Sequence, residues 1–248
     1  MATHLSAGLF VFFVLCSHSV ATIAAKDVDF MYLVLMWPGS YCKQASSGCC
    51  LPKSGQPVLD FFIKGLYPAS SDGTILSKCQ KIPFNANQID DMKDDLNSYW
   101  SNIRCPRSEG RFLWKSVWKN NGVCSGLSQH DYFQRALNLR SKVDLLSILG
   151  KQGIISTDYM DYSFNTVLDV VSSGIGANTA IKCGHNAWGE SIVYEVHMCV
   201  DKNANAIIPC PVLPKNACDE RVVLGSFTYD MLQNMTTVNP IRMRILDA

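Results

Sequence analysis

The stretch Phe30-Met31-Tyr32-Leu33-Val34-Leu35-Met36-Trp37-Pro38-Gly39 decides the fold class. It is apolar without a break and partly β-branched, and Pro38-Gly39 ends it, the pattern of a buried strand running into a turn. Residues 61–66 read as a second short strand, stopped by Tyr67-Pro68. Beyond them the period changes. Apolar positions at Ile89, Met92, Leu96 and Trp100 predict a helix over 88–100, and Phe112, Trp114 and Trp118 predict another, ended by Asn121-Gly122. Ser128 suits the N-cap of the longest helix, expected to continue through Leu149 until Gly150 or Gly153 stops it. A further helix is expected over 164–171. Strands are then expected over 191–200, where Ile192, Tyr194, Val196 and Met198 alternate, and over 221–227. Helices clustered between two strand-rich ends point to an α+β fold.

The chain has 248 residues, a length that large-sheet folds accommodate as one domain. Its first 25 residues read as a cleaved secretory signal, because Leu9 to Cys16 is an apolar run followed by the small residues Ala21, Thr22, Ala24 and Ala25. That run is shorter than the roughly 20 residues of a membrane span. Residues 26–248 are expected to form a single soluble domain in the secretory pathway, extracellular or vacuolar. Twenty-two basic and 21 acidic residues nearly cancel, so contact with nucleic acid would need a local patch rather than overall charge. Arg104, Arg107, Arg111, Lys115 and Lys119 offer such charge, although solvated side chains explain them as well. Phe112, Trp114 and Trp118 could stack bases, but their spacing fits core packing better.

Eleven cysteines are present. Cys16 leaves with the signal, and the even remainder in an oxidising route implies a disulfide framework. No Cys-x-x-Cys pair or matching histidine cluster supports zinc, and no metal or other cofactor is expected. Gly-x-Ser-x-Gly, phosphate-loop and His-Glu-x-x-His motifs are missing from the sequence. Asn234-Met235-Thr236 is a glycosylation sequon.

Several blocks resemble the ribonuclease T2 family of plants. They are Met36-Trp37-Pro38-Gly39-Ser40-Tyr41-Cys42, Gly48-Cys49-Cys50, Asp60 to Pro68, Asp131-Tyr132-Phe133, Val193 to Asp201 and Ile208-Pro209-Cys210-Pro211, in family order over nearly the whole mature chain. The resemblance implies a central, largely antiparallel sheet flanked by helices. It also implies the bridges Cys42–Cys49, Cys50–Cys105, Cys79–Cys124, Cys183–Cys218 and Cys199–Cys210, a pairing that spacing alone leaves open.

Enzymes of this family cleave RNA by transfer to the ribose 2′-hydroxyl, a step that needs one proton acceptor and one donor, and imidazole suits both. By the resemblance, Lys64 occupies one catalytic histidine position, and Ser116, Val117, Asn120 and Asn121 occupy the family's His, Glu, Lys and His positions between Trp114 and Cys124. Tyr67 stands where the family has a tryptophan, and Met36 where a glutamine often occurs. The expectation is therefore a protein that is not an enzyme, resembling ribonuclease-related plant storage proteins. Two alternatives remain: a defence-type module that binds RNA or nucleotides in the old cleft through Trp37, Lys64, Tyr67 and Trp114, and an active endoribonuclease with rearranged catalysis. His130, His185 and His197 are read as ordinary surface or packed histidines, with no pair brought together. No obligate partner is indicated; weak RNA or phosphate binding is the interaction the residues allow, and no membrane contact is expected once the signal is removed.

Overall fold

A computed structural model describes residues 27–44 and 48–233. The expected signal segment and Asn234 lie outside the described residues. The strands are β1 (Phe30–Met36), β2 (Cys49–Cys50), β3 (Phe62–Ala69), β4 (Asp161–Ser163), β5 (Ala180–His185), β6 (Ser191–Asp201), β7 (Ile207–Ile208), β8 (Arg221–Val223) and β9 (Leu232–Gln233). The helices are α1 (Pro38–Gln44), α2 (Lys93–Tyr99), α3 (Gly110–Asn120), α4 (Gln129–Ser141), α5 (Leu145–Gly150) and α6 (Phe164–Ile175). Seven strands form one sheet in the order β3-β1-β6-β8-β4, with β5 and β7 also paired to β6. Its pairings are antiparallel except for the single parallel contact of β6 with β8. The strand-rich ends of the chain thus meet in one sheet, with β1 held between β3 and β6.

The opening stretch behaves as its composition dictates. Leu33 and Leu35 join Phe61, Phe62, Val196, Met198 and the helices in the main core. The opposite face of β1 carries Phe30, Tyr32 and Val34, which pack with Ala69 and Cys199 in a second, smaller cluster. Both faces of β1 are therefore covered, which is why it reads as a continuous apolar run.

Several expected boundaries shift. Strand β3 continues through Tyr67-Pro68 to Ala69, and it can do so because it is an edge strand, where proline's missing N–H removes no ladder bond. The helix expected over 88–100 is divided: a 3₁₀ segment over Ala86–Met92 contains Ile89 at φ −133°, and α2 begins after it. The long helix after Ser128 is two helices. Ser128 caps α4 by accepting from the Asp131 amide at 3.1 Å, whereas Asp144 caps α5 by accepting from the Ser147 amide at 3.0 Å. The last strand keeps only Arg221–Val223 of the expected 221–227.

The five disulfides are Cys42–Cys49, Cys50–Cys105, Cys79–Cys124, Cys183–Cys218 and Cys199–Cys210, the pairs the resemblance implies. Arg140, buried on α4, donates to the carbonyls of Phe61 at 3.0 Å and Val143 at 2.8 Å and pairs with Asp60 at 2.6 Å. These bonds fix the start of β3, and with it the position of Lys64. No helix of the described residues is long and apolar enough to cross a membrane.

Candidate functional site

Two irregularities of the sheet build the site. Between β1 and β3, Val34 pairs with Gly65 and Leu35 with Ile63, so Lys64 has no opposite residue. Between β5 and β6, Lys182 pairs with Glu195 and Cys183 with Val193, so Tyr194 has none on β5. Such bulges bend the strand and re-aim a side chain. The first lies opposite Val34 and Leu35 of β1, which pair on their other side with His197 and Val196, and the second lies just past the Met36–Glu195 pair, where the Trp37 amide donates to the Tyr194 carbonyl at 2.9 Å.

The re-aimed Lys64 ammonium makes an ion pair with Glu195 Oε1. It also sits 5.1 Å from the centre of the Tyr194 ring, a cation–π geometry. The other Glu195 oxygen, Oε2, is 2.7 Å from His197 Nε2. Glu195 and His197 are only 5% and 7% exposed, while the Lys64 side chain is 39% exposed. One carboxylate is thus bound at both oxygens, by an ammonium on one side and an imidazole on the other. Burial pushes the Glu195 carboxyl up, but the hydrogen bonds of His197 and Lys64, with the Lys64 charge, outweigh it and hold the pKa at about 2.

Aromatic residues frame this network. Tyr67 donates to the Lys64 carbonyl at 3.3 Å, and a Cβ on Gly65 would run into the folded-back Tyr67 ring. Burial, and then the Glu195 charge, drive the Tyr67 phenol upward. The Tyr194 phenol is pushed up to about 12 by burial, Glu195 and Tyr41, against a lowering effect of Arg104. Tyr41 stacks on Tyr194 with ring centres 6.4 Å apart and planes 21° apart. Arg104 Nε donates to the Tyr41 hydroxyl at 3.3 Å.

The remaining expected site residues are dispersed. Trp37 and Trp114 are 2% and 4% exposed, and their indole N–H groups donate to the carbonyls of Gly225 at 2.6 Å and Trp100 at 2.9 Å. Both are core residues, with each indole N–H engaged by a backbone carbonyl. The Lys64 ammonium is paired with Glu195 and its side chain is 39% exposed. Tyr67 is half-buried and serves the Lys64 backbone. On α3, Asn120 donates to Ser116 Oγ at 3.3 Å and Val117 is buried, while Asn121, just past its end, donates to the Leu76 carbonyl at 3.1 Å. Among the described residues no hydrogen bond or ion pair joins these four to Lys64. The three histidines meet three different carboxylates, His130 with Asp91, His185 with Asp219 and His197 with Glu195. His185 is the last residue of β5. Among the described residues no group of three His, Cys, Asp or Glu could hold a metal ion.

Chemically, the centre of the site is a charge-balanced network. Glu195 is ionised across the physiological range and engaged at both oxygens, so neither oxygen can take a proton from an incoming hydroxyl while both bonds stand. The signal that would have located this centre was present in β6: Glu195 and His197, two residues apart, put two titratable groups on one face of a strand that is otherwise apolar.

The sequence matches the ribonuclease T2 family over residues 28–210. It is 38% identical to Ribonuclease 1 of Arabidopsis thaliana, covering 84% of this chain and 90% of the relative. It is 36% identical to Extracellular ribonuclease LE of Solanum lycopersicum, covering 92% and 100%. It is 28% identical to the Ribonuclease-like storage protein of Panax ginseng, covering 72% and 74%. Among solved structures, RNase NT in complex with 5'-AMP superposes with a TM-score of 0.77 at 32% identity, over 82% of this chain and 100% of that one.

These matches correct one expectation. The chain was expected not to be an enzyme, because Lys64, Ser116, Val117, Asn120 and Asn121 replace the family's catalytic residue types. Relatives at 36 and 38% identity are named ribonucleases. Replaced side chains at positions assigned by resemblance do not amount to a measured loss of activity, and the expectation is withdrawn.

Proposed function

Because this chain belongs to the ribonuclease T2 family, we propose that it uses the family's fold as a reserve protein, accumulated in the secretory pathway of a plant, outside the cell or in the vacuole. The observation that carries this reading is the Lys64–Glu195–His197 network. In it the charges at the centre of the site are spent on one another, and so contribute to holding the fold. A carboxyl with a pKa of about 2 keeps its partners through the acidic range. Five disulfides add resistance to unfolding, each worth about 2–4 kcal/mol by restricting the unfolded chain. A body that stays folded in an acidic, protease-containing compartment can accumulate there. Similarity to a storage protein of ginseng supports the same reading.

The reading concerns accumulation and mobilisation, and it holds whether or not the chain cuts RNA. Quantifying the protein in the source tissue through a growth cycle tests it. A reserve is abundant before regrowth and falls during it; a trace protein at constant level contradicts the proposal.

A further inference from the structure

We infer that the peptide bond between Tyr159 and Met160 is where an endopeptidase with an apolar primary pocket first opens this fold, a role separate from the Lys64 network and independent of the reserve reading. The five disulfides fall into two groups. Cys42–Cys49, Cys50–Cys105 and Cys79–Cys124 lie before residue 125, and Cys183–Cys218 and Cys199–Cys210 lie after residue 182. No bridge joins the two groups, so a single cut in the stretch 125–182 leaves two large pieces with no covalent link. A cut between Cys50 and Cys105, or between Cys183 and Cys218, leaves its pieces tied together.

Most of that stretch is closed to a protease, because α4, α5 and α6 hold their peptide groups in helical hydrogen bonds that must open first. Its longest connection between elements is 151–160, from α5 to β4. This loop carries Ile155 at 52%, Tyr159 at 96% and Met160 at 49% exposure. Tyr159 is the most exposed large apolar side chain of the described residues. The loop is pinned just upstream: the Thr157 amide donates to the Leu224 carbonyl at 2.8 Å, Ser156 Oγ donates to the Gly225 carbonyl at 3.0 Å, and Asp158 accepts from the Ser226 amide at 2.8 Å and pairs with Lys43. Downstream, β4 has only three residues and lies at the edge of the sheet, paired with β8. The tether holds Tyr159 outward, and the short edge strand can lift away to give the extended segment that a protease cleft takes.

Trp188, 81% exposed, is the competing site. Its turn is closed, however: the Asn186 amide donates to the Glu190 carbonyl at 3.1 Å, and Asn186 Oδ1 accepts from the amides of Trp188 and Glu190, both at 3.0 Å. It also lies inside the Cys183–Cys218 bridge. Hydrolysis after Tyr159 adds the hydroxyl of water to the Tyr159 carbonyl carbon and the hydrogen to the Met160 nitrogen. The cut protein keeps its shape, because β1 in the first piece pairs along its whole length with β6 in the second. Its refolding, by contrast, becomes a meeting of two molecules, and the effective concentration supplied by the intact connection is lost. Halves that part in dilute solution each keep an unpaired sheet edge, open to further digestion.

The test is limited digestion of the full, oxidised chain with chymotrypsin, whose primary pocket is a hydrophobic slot, followed by mass spectrometry and by denaturing gels run with and without reductant. Expected is a first cut within residues 48–233 at Tyr159–Met160, giving two fragments that part in denaturant without reductant yet stay together in native size-exclusion chromatography. Tyr159→Ser should slow this cleavage by at least about 10-fold, the usual worth of a side chain in a hydrophobic pocket, while keeping the wild-type circular dichroism. Trp188→Ser should leave the rate unchanged. After unfolding in urea and dilution, the intact chain should refold at every concentration and the cut one only when concentrated. A first cut elsewhere within residues 48–233, fragments that part only after reduction, or a Tyr159→Ser rate equal to wild type overturns the inference. So does refolding of the cut protein that is independent of concentration.

Discussion

Lys64 and Tyr194 are both bulge residues, on strands β3 and β6 that flank β1, and they face each other across it with the ammonium 5.1 Å from the ring centre. The bulge in β3 delivers a cation, the bulge in β6 delivers an aromatic face, and Glu195, next to Tyr194, supplies the counter-charge. Together they tie β3 to β6 across β1.

Glu195→Gln should destabilise the protein in a pH-dependent way. The folded carboxyl has a pKa of about 2, lowered from an ordinary 4.5, so its contribution is fully present above pH 4.5 and is lost as pH falls through 2. The shift corresponds to on the order of 3 kcal/mol. Urea denaturation at pH 7 should show wild type ahead of the variant by about 2–3 kcal/mol, with the gap closing below pH 4. A gap that is the same at pH 7 and pH 2.5 would show that ionisation of Glu195 does not contribute.

Lys64→Met should raise the Glu195 carboxyl, since it removes one hydrogen bond and the nearest positive charge while leaving His197 in place. The acid unfolding midpoint then moves to higher pH. The loss at pH 7 should be smaller than for Glu195→Gln, because Lys64 is 39% exposed and its removal leaves one bound oxygen on Glu195, whereas the glutamine leaves a cation and an imidazole without their carboxylate. Acid titration followed by tryptophan fluorescence reads both effects.

Gly65→Ala should destabilise the fold by about 1–3 kcal/mol, the usual cost of overpacking. Its Cβ would enter the space of the Tyr67 ring. The companion change Tyr67→Ala should relieve the overlap, so the double variant should lose less than the sum of the two single ones. Strict additivity in guanidinium denaturation would place the Tyr67 ring elsewhere.

Among the disulfides, removal of Cys50–Cys105 should cost more than removal of Cys42–Cys49. The first spans 55 residues and the second 7, and loop closure predicts a difference of about 2 kcal/mol. Paired Cys→Ala variants compared by thermal unfolding measure it; equal losses would show that native-state packing outweighs the unfolded chain.

The sequence carried the strands and helix starts wherever one face was uniform or a cap was explicit, as at Phe30–Met36 and Ser128. It misjudged continuity where a second cap lay inside an apolar run: Asp144 divides what hydrophobic periodicity alone joins. The disulfide pairs were legible through resemblance and not through spacing. The site was legible only in part. Lys64 could be singled out by resemblance, but Glu195 lies 131 residues away, and a bulge, which shifts register by one residue, leaves no mark in a hydrophobic pattern. The spacing of Trp114 favoured core packing, and the structure places it there, but the carbonyl partners of Trp37 and Trp114 at Gly225 and Trp100 are announced by no local pattern.

Central to the site is the charge on Glu195. Carbon-detected NMR titration of its side-chain carboxyl in the intact protein measures that charge directly. The Lys64–Glu195–His197 network predicts an apparent pKa near 2, with the His197 ring signals following the same transition. A carboxyl that titrates near the ordinary 4.5, with no response at His197, would contradict the network and the reading of the site as a structural tie.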